Sequence, residues 1–571
     1  MNHAGAVLGV SCFFHDAAAC ALTPDAKGAP VVRLALAEER LSRVKHDAGF
    51  PRRAIERCLD ACRLSPGDVA CVAFHEKPWL RAERAVASLV ASWPRGLVSF
   101  ATGLGRTLGA RGALLDGLRE LGVTAPVRYV PHHVSHAADA FFGSPFDEAA
   151  VLVIDGVGER ATTSLAHGRG SRLTLVEQVE YPHSLGLFYA MITAHLGFRV
   201  NHDEAKVMAL AASGEPRMRA ALEEVLRAAP DGGFALDLTY CAFPYARDHM
   251  ASPRLSELVG PARRPDEPLT DHHRDLAASL QRLTEDRVLA LARRVIERTG
   301  SRRLCLAGGV ALNGVANGRL ARELGLDGVH VSFAPGDDGA CLGAARYVAH
   351  RTLRMPRGDN PRTFAALGTT ITEEEARTAL DEAGLVHQKY DPAALAEEVA
   401  GLLAEGSLVG VARGAMEFGP RALGFRSILA DARDARVRDD LNRRVKERYD
   451  FQPFAPAVPL ERVGEWFECD HAVPWMSEVH CVRESVRARI PAVVHTDGTA
   501  RVQTVDVRDH EWFHAVLAAF GARTGVPVLL NTSFNARDEP IVRTAAEAVG
   551  TFLRTGLDAL VVGDRLARRA R

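Results

Sequence analysis

The sequence contains only six lysines, although lysine and arginine together account for 70 of its 571 residues. Its positive charge is therefore carried almost entirely by arginine, and a lysine within a motif is less expected to be a random surface charge. Lys45, Lys206 and Lys446 all lie in motif-like segments. These three lysines are accordingly candidates for function.

The chain also lacks the features of secreted, membrane and zinc-finger proteins. Its ten cysteines are scattered without any CxxC pair, which argues against a zinc module or a disulfide scaffold. The segment MNHAGAVLGVSCFF does not resemble a signal peptide, and the most apolar long stretch, residues 85–105, is interrupted by a proline and an arginine. The formal net charge of −1 would not attract nucleic acid or an anionic membrane. We expect a cytoplasmic protein that binds neither nucleic acid nor membranes.

The length and the order of apolar segments predict an α/β protein of two domains. Residues 6–22 have the pattern strand–turn–strand, residues 31–37 form a third strand, and the same order begins again at residue 149. Such a repeat is typical of duplicated actin/hexokinase-like halves. Residues 351–363, rich in proline, arginine and glycine, are the best linker. We therefore predict a duplicated domain over residues 1–355 and a second α/β domain over residues 364–571.

Four side chains in the first predicted domain suit a divalent metal. His132 and His136 are four residues apart in a helical segment, so their imidazoles share one face. Asp155 ends a very apolar strand, and Asp337 lies in a glycine-flanked turn. An HxxxH pair alone is more often a pair of ordinary polar helix residues, but two acids in these positions favour a site for Fe(II), Mn(II) or Zn(II).

Two further patterns suit phosphate. The glycine-rich turns DGVGE, with Gly156, and AGGVALNG, with Gly308, Gly309 and Asn313, directly follow strands, where a phosphate or ribose can approach the backbone. Turns need glycine for other reasons as well, so each pattern is weak alone. In the second domain a set of polar side chains could hold a doubly charged phosphate: Arg413, Arg421, Arg426, Lys446, Arg501, Asn531, Ser533 and Asn535. The alternative is that these cations form structural ion pairs with nearby acids.

Ten segments occur in an order that closely resembles the NodU/CmcH/TobZ family of O-carbamoyltransferases. They are FHDAAACAL, EERLSRVKH, HHVSHAADAFF, VIDGVGE, KVMALAASG, LAGGVALNG, GDDGACLGAA, GPRALGFRS, RVKERYDFQPFAP and NTSFN. The resemblance covers nearly the whole chain. It implies an N-terminal actin-like (ASKHA, TsaD-like) domain, similar to the subunit that transfers threonylcarbamoyl to tRNA, and a C-terminal YrdC-like domain.

The resemblance also implies roles for individual residues. The family's metal ligands fall on His132, His136, Asp155 and Asp337, and its phosphate and carbamoyl contacts fall on Arg421, Lys446, Arg501 and Ser533. Nucleotide contacts are expected at Lys206, Gly156, Gly308, Gly309, Asn313, Arg426 and Asn531. His15 matches the histidine that faces the acceptor hydroxyl, and an imidazole with an ordinary pKa near neutrality would serve there as a general base.

The implied activity has two half-reactions. ATP, with Mg²⁺, and carbamoyl phosphate would give carbamoyl-adenylate, and a metal site, best suited to Fe(II), would assist transfer of the carbamoyl group to a small-molecule hydroxyl. The arginine- and alanine-rich composition is typical of high-GC bacterial genes, which favours a natural product such as an antibiotic as acceptor. A homodimer is left open. The rivals are threonylcarbamoylation of tRNA, a hydrogenase-maturation carbamoyltransferase, whose CxxC fingers are missing, and a nucleotide-binding scaffold without activity.

Overall fold

The computed structural model of the chain describes residues 5–93, 96–358 and 364–569. It divides into two compact units: Met1–Glu38 with Ala48–Thr363, and Glu39–Asp47 with Phe364–Arg571. The last five residues of the predicted linker, 359–363, lie outside the described residues.

Residues 39–47, which include the short helix α1 (Glu39–Ser42), belong to the second unit, whereas the boundaries drawn from sequence assign them to the first. The reason is hydrogen bonding. The Arg40 guanidinium donates to the Gly419 carbonyl (3.0 Å), and that of Arg43 donates to two further carbonyls of the second unit, at Pro540 (2.9 Å) and Ile541 (2.8 Å).

The first unit contains two five-stranded sheets with the same topology. The strands are β1 (Ala6–Ser11), β2 (Ala18–Pro24), β3 (Pro30–Ala37), β4 (Val69–Phe74) and β5 (Val127–Tyr129) in one sheet, and β6 (Glu148–Ile154), β7 (Ala161–Arg169), β8 (Arg172–Glu180), β11 (Arg303–Ala307) and β12 (Gly328–Val331) in the other; β9 (Leu226–Ala228) and β10 (Phe234–Leu236) form a separate pair. The sheet orders are β3-β2-β1-β4-β5 and β8-β7-β6-β11-β12. In each, the first three strands are antiparallel and the last two run parallel to the first. This repeat confirms the predicted α/β class and the predicted duplication into two actin/hexokinase-like halves.

Helices cover these sheets and place the polar residues at the strand ends. They are α2 (Arg52–Cys62), α3 (Pro78–Ser92), α4 (Leu97–Glu120), α5 (His132–Gly143), α6 (Leu185–His195), α7 (Glu204–Ala211), α8 (Arg219–Val225), α9 (Pro253–Val259), α10 (Asp271–Thr299), α11 (Gly314–Glu323) and α12 (Asp337–Tyr347). Helix α12 packs closely on both α5 and β1 because the contacts use glycine. A Cβ added at Gly343 would overlap the Ser135 carbonyl, and one at Gly9 would overlap that of Cys341. These contacts bring the N-terminal ends of α5 and α12 together.

The second unit is built on one mixed sheet of nine strands, in the order β13-β21-β20-β14-β15-β19-β16-β18-β17. The strands are β13 (His387–Lys389), β14 (Val409–Ala412), β15 (Arg426–Asp431), β16 (Ala455–Pro459), β17 (Glu478–Cys481), β18 (Thr499–Val505), β19 (Leu529–Ser533), β20 (Ala559–Val562) and β21 (Arg565–Arg568). The helices are α13 (Glu373–Glu382), α14 (Pro392–Ala404), α15 (Ala435–Leu441), α16 (Val463–Trp466), α17 (Glu484–Arg487), α18 (Glu511–Thr524) and α19 (Ala545–Arg554). Two apolar clusters form the core of this unit.

Within the described parts of the chain, we find no helix that combines the length and the apolar character needed to span a bilayer.

Candidate functional site

The four side chains predicted to bind a metal come together in the first unit. His132 and His136 lie on the first two turns of α5, Asp155 follows β6, and Asp337 is the first residue of α12. One ligand atom from each residue lies within 4.8 Å of those of the other three. All four residues are buried or half-buried, so the fold places four electron-pair donors around a single point.

The distances within this cluster suit one cation. The Nε2 atom of His132 is 3.0 Å from Nε2 of His136 and 3.2 Å from a carboxylate oxygen of Asp155. One oxygen of Asp337 lies 3.5 Å from the His132 nitrogen and 3.4 Å from that of His136. Two imidazole nitrogens and two carboxylates form a donor set that Fe(II), Mn(II) and Zn(II) all accept. The residues therefore fit a divalent metal.

Backbone contacts hold these ligands in place. The buried Glu159 carboxylate accepts hydrogen bonds from the backbone N–H of His132 (2.9 and 3.0 Å) and of Lys77 (2.7 Å), so it caps the start of α5. The Gly309 N–H donates to one oxygen of Asp155 at 2.9 Å, which leaves the other oxygen facing His132. The sequence analysis did not select Glu159, although its place four residues after Asp155 in the same turn was a usable signal.

The glycine-rich turns predicted to contact nucleotide pack against this cluster. Gly308 has φ of +87°, and a Cβ there would lie 2.4 Å from the Ile154 carbonyl oxygen. A Cβ at Gly158 would lie 2.9 Å from the rings of both His132 and His133. Gly156 follows Asp155 directly and is half-buried. Glycine is needed at position 308 because the backbone passes close to Ile154, and at position 158 because it passes close to the His132 and His133 rings.

The charges in the cluster favour a cation. Burial raises the pKa of Asp337, but His15 and His132 outweigh it and lower that pKa to about 2. Burial likewise raises the pKa of Asp155, and its hydrogen bond from His132 leaves the pKa well below its usual value. Both carboxylates are therefore ionised at neutral pH and can bind metal without losing a proton.

His15 lies beside the same carboxylates. Its Nε2 is 3.7 Å from Asp337, and its Nδ1 is 2.9 Å from Asp16. Burial lowers the pKa of His15, but Asp337 and Asp16 outweigh it and raise the pKa to about 10. The protein groups alone therefore raise the pKa of His15 above its ordinary value, and its role as a general base stays a prediction. A divalent cation on the same carboxylates would offset their charge and favour the neutral ring.

Two predicted nucleotide residues of the first unit have partners within the protein. The Lys206 ammonium, on α7, forms an ion pair with Asp203 at 2.8 Å. The buried Asn313 side chain accepts a hydrogen bond from the Ala316 N–H (3.1 Å) and exchanges two with the Gln281 amide (2.9 and 3.0 Å). In this structure the Asn313 side chain caps α11, and the nucleotide contact expected there stays a prediction.

The second unit gathers three arginines without a counter-charge. Burial lowers the pKa of Arg421 to about 10 and that of Arg501 far below its usual value, and the two shifts are deepened by Arg448. Among the described residues, none of the three forms an ion pair with a carboxylate, and the buried Nε of Arg501 has no hydrogen-bond partner. Three half-buried guanidiniums that act on one another electrostatically favour an anion among them. Arg413, by contrast, forms the kind of ion pair that the structural alternative expects, with Asp564 at 2.8 Å.

Lys446 completes this cationic cluster. It is almost fully buried at the end of a π-helical turn, Asn442–Lys446, a distortion that is frequent at functional sites. Its ammonium donates to Ser533 Oγ at 3.2 Å and to the side-chain oxygen of Asn535 at 2.7 Å. Burial lowers its pKa far below the usual value, and Arg448 lowers it further. The structure therefore brings Lys446 and Ser533 together. Arg448 acts electrostatically on Lys446 and also on Arg421 and Arg501.

Two predicted ligands of the second unit support the backbone. The Arg426 side chain is fully buried, and its guanidinium donates to the carbonyl oxygens of Thr369, Arg413, Gly414, Phe425 and Arg543. The Asn531 amide donates to the carbonyl of Ala422 (3.2 Å) and to Gln503 (2.7 Å). Arg426 thus supports the surrounding backbone, and Asn531 holds the GPRALG segment that carries Arg421, while the ligand contacts expected of both residues stay predictions. Arg448, two residues after Lys446, is the cation that the sequence analysis missed.

Comparisons with known proteins identify one family for both parts of the chain. Residues 6–346 match the family described as carbamoyltransferase N-terminus, and residues 400–569 match carbamoyltransferase C-terminus. The chain is 42% identical over 593 residues to the uncharacterized protein sll1178 of Synechocystis, covering 97% of this chain and 95% of the relative.

Two relatives have functional names. The nodulation protein NolNO of Sinorhizobium fredii is 38% identical, covering 98% of this chain and 79% of NolNO. A 3'-hydroxymethylcephem-O-carbamoyltransferase of Amycolatopsis lactamdurans is 41% identical over 174 residues, which are 30% of this chain and 33% of the relative. Since both family regions match in order and together span most of its length, the chain belongs to the carbamoyltransferase family, as its resemblance to the NodU/CmcH/TobZ enzymes indicates.

Proposed function

We propose that this carbamoyltransferase forms carbamoyl-adenylate in its second unit and uses it in its first unit to carbamoylate a small-molecule hydroxyl. The observation that carries the proposal is the cluster of Arg421, Lys446, Arg448 and Arg501, which are close together without a carboxylate partner among the described residues. Such a cluster suits a substrate with several negative charges, and carbamoyl phosphate with ATP meets that description.

In the first half-reaction, water would cleave carbamoyl phosphate into carbamate and inorganic phosphate. A carbamate oxygen would then attack the α-phosphorus of ATP, forming the adenylate and releasing pyrophosphate. The guanidiniums would hold the phosphate oxygens and neutralise the charge that develops on them. Ser533 and Lys446, which are hydrogen-bonded to each other, would orient the carbamoyl end. Mg²⁺ would accompany ATP, as it does in most phosphoryl transfers.

In the second half-reaction, the acceptor hydroxyl would attack the carbamoyl carbon, and AMP would leave. A divalent metal at His132, His136, Asp155 and Asp337, for which we favour Fe(II), would supply Lewis acidity to the adenylate. His15, 3.7 Å from Asp337, would take the hydroxyl proton once its ring is neutral. The products are a carbamate ester and AMP, and the proton resides on His15 until solvent removes it.

The acceptor is proposed to be a natural-product alcohol. The cephem carbamoyltransferase that this chain resembles acts, by its name, on a hydroxymethyl group. A net charge of −1 gives no general attraction for tRNA, which is why we prefer this acceptor to the threonylcarbamoylation alternative.

The test separates the two half-reactions. The purified protein would be incubated with Mg²⁺-ATP and carbamoyl phosphate, with release of pyrophosphate measured by a coupled assay, and then with a panel of hydroxylated metabolites analysed by mass spectrometry. We expect pyrophosphate release that requires carbamoyl phosphate, and the mass of one carbamoyl group on at least one alcohol. The absence of pyrophosphate release with both substrates at saturation would refute the proposal.

A further inference from the structure

A second group of metal-binding side chains lies in the second unit, outside the cationic cluster. Cys469 and His471 are in the loop after α16, and Glu478 and His480 are on β17, the edge strand of the nine-stranded sheet. Cys469, Glu478 and His480 are buried, and His471 is half-buried. A buried thiol beside two imidazoles and a carboxylate is not needed for the reaction described above.

The geometry of this group is compact. One ligand atom each from Cys469, His471 and His480 lies within 4.8 Å of the other two. The sulfur of Cys469 is 3.9 Å from Nδ1 of His471, whose Nε2 is 2.9 Å from the Glu478 carboxylate. The same carboxylate oxygen is 2.9 Å from Nε2 of His480. The buried Nδ1 of His480 has no hydrogen-bond partner among the described residues.

We propose that Cys469, His471 and His480 bind a divalent metal of the zinc class. One thiolate and two imidazoles are three of the four ligands of a tetrahedral zinc site. Glu478 supplies the fourth ligand or accepts the remaining ring N–H, an arrangement that orients histidine ligands in many metal sites. The four residues have the spacing C-x-H-x6-E-x-H, in which the cysteine and the first histidine lie in the loop and the other two residues lie on β17.

Strand register indicates what the metal does. Glu478 and His480 pair with Val502 and Ala500 on β18, whereas Val479, between them, pairs with Arg501. Since successive side chains point to opposite faces of a sheet, the metal group and Arg501 lie on opposite faces of the same two strands. The metal would thus fix the loop after α16 to β17 and support the strand that carries Arg501, without contacting the substrate.

The test uses Co²⁺ as a probe, because cobalt bound to a thiolate gives an intense charge-transfer band in the near ultraviolet. The full-length His132→Ala protein, in which the first site is disabled, would be stripped of metal and titrated with Co²⁺. We expect the thiolate band to saturate at one equivalent. Adding Cys469→Ser should abolish it, while Cys481→Ser, which removes the neighbouring thiol of β17, should leave it unchanged.

X-ray absorption at the zinc edge gives a measurement that does not depend on the folding of the cysteine variant. In zinc-loaded His132→Ala protein we expect a sulfur neighbour at about 2.3 Å and imidazole scattering. Absence of the cobalt band, or a zinc spectrum without sulfur, would overturn the proposal. So would an unchanged cobalt band in a Cys469→Ser protein whose circular dichroism is that of the parent.

Discussion

The Nε2 atoms of His132 and His136 face each other at 3.0 Å across one turn of α5. Two ring nitrogens hold this separation only when a proton or a cation lies between them, since their lone pairs otherwise repel. With two ionised carboxylates completing the group, a cation satisfies all four side chains at once. This relationship is the structural reason for proposing the metal site at the N-terminal end of α5.

Asp337→Asn should separate the two half-reactions. The substitution keeps the size of the side chain but removes one negative charge, so metal affinity should fall by at least the 10–100-fold that is typical of losing a supporting contact. Carbamoyl transfer should fall with it, whereas pyrophosphate release should be unchanged. Metal content by mass spectrometry and the two assays would show this. Loss of pyrophosphate release in the same variant would mean that the half-reactions share a site.

Arg448→Ala should affect the other half-reaction. Because Arg448 is one of three half-buried guanidiniums without a carboxylate partner among the described residues, its loss should lower kcat/KM for pyrophosphate release by about 10²–10³-fold. Arg443→Ala is the matched control, since that side chain is 76% exposed and pairs with Asp440. Equal activity of the two variants would remove Arg448 from the site.

Gly158→Ala should weaken metal binding without changing a ligand. The new Cβ would lie 2.9 Å from the rings of His132 and His133, so the ligand ring must move. We expect metal affinity to fall by about 10-fold, the lower end of the effect of disturbing ligand orientation. Gly109→Ala, at a helical position with open space around the new Cβ, should bind metal normally. Competition titration with a chelating dye would measure both affinities.

The stability of the second unit should depend on His510 below neutral pH. Burial lowers the pKa of His510 from 6.5 to about 3, and the ring stacks on Phe425 at a centroid distance of 3.9 Å. The unfolded chain therefore takes up a proton as pH falls below 6.5, while the folded chain does not. This costs up to about 1.4 kcal/mol of unfolding free energy per pH unit.

His510→Asn keeps a side chain that can cap α18 but removes this titration. The thermal midpoint of the wild-type protein should consequently fall more steeply than that of the variant between pH 6.5 and pH 4.5. Parallel curves for the two proteins would contradict the assignment.

The sequence predicted the duplicated sheets and the grouping of the four proposed metal ligands because both follow from local pattern. Apolar runs mark the buried strands, Asp155 directly follows one of them, and Asp337 begins a small-residue helix. Inside motifs the sequence could not show which polar side chains also support the fold. The hydrogen bonds of Asn313, Arg426 and Asn531 to neighbouring groups appear only in the structure.

The residues that the sequence analysis missed depend on tertiary contacts. Glu159 acts on the backbone of a helix that begins 27 residues earlier in the chain. Arg448 can be recognised as a member of the cationic cluster only from its interaction with Arg421 and Arg501 in the folded protein. Cys469 and His480 belong to a loop and an edge strand, and their spacing matches no common zinc motif.

The segment Glu39–Asp47 interrupts the first unit and belongs to the second. The two units are therefore difficult to express separately. A fragment beginning at Phe364 would lose Arg40 and Arg43, and with them three hydrogen bonds to the carbonyls of Gly419, Pro540 and Ile541. Expression of either half as a separate piece would require a circular permutation or a grafted peptide, because no single cut between the two units yields two complete ones.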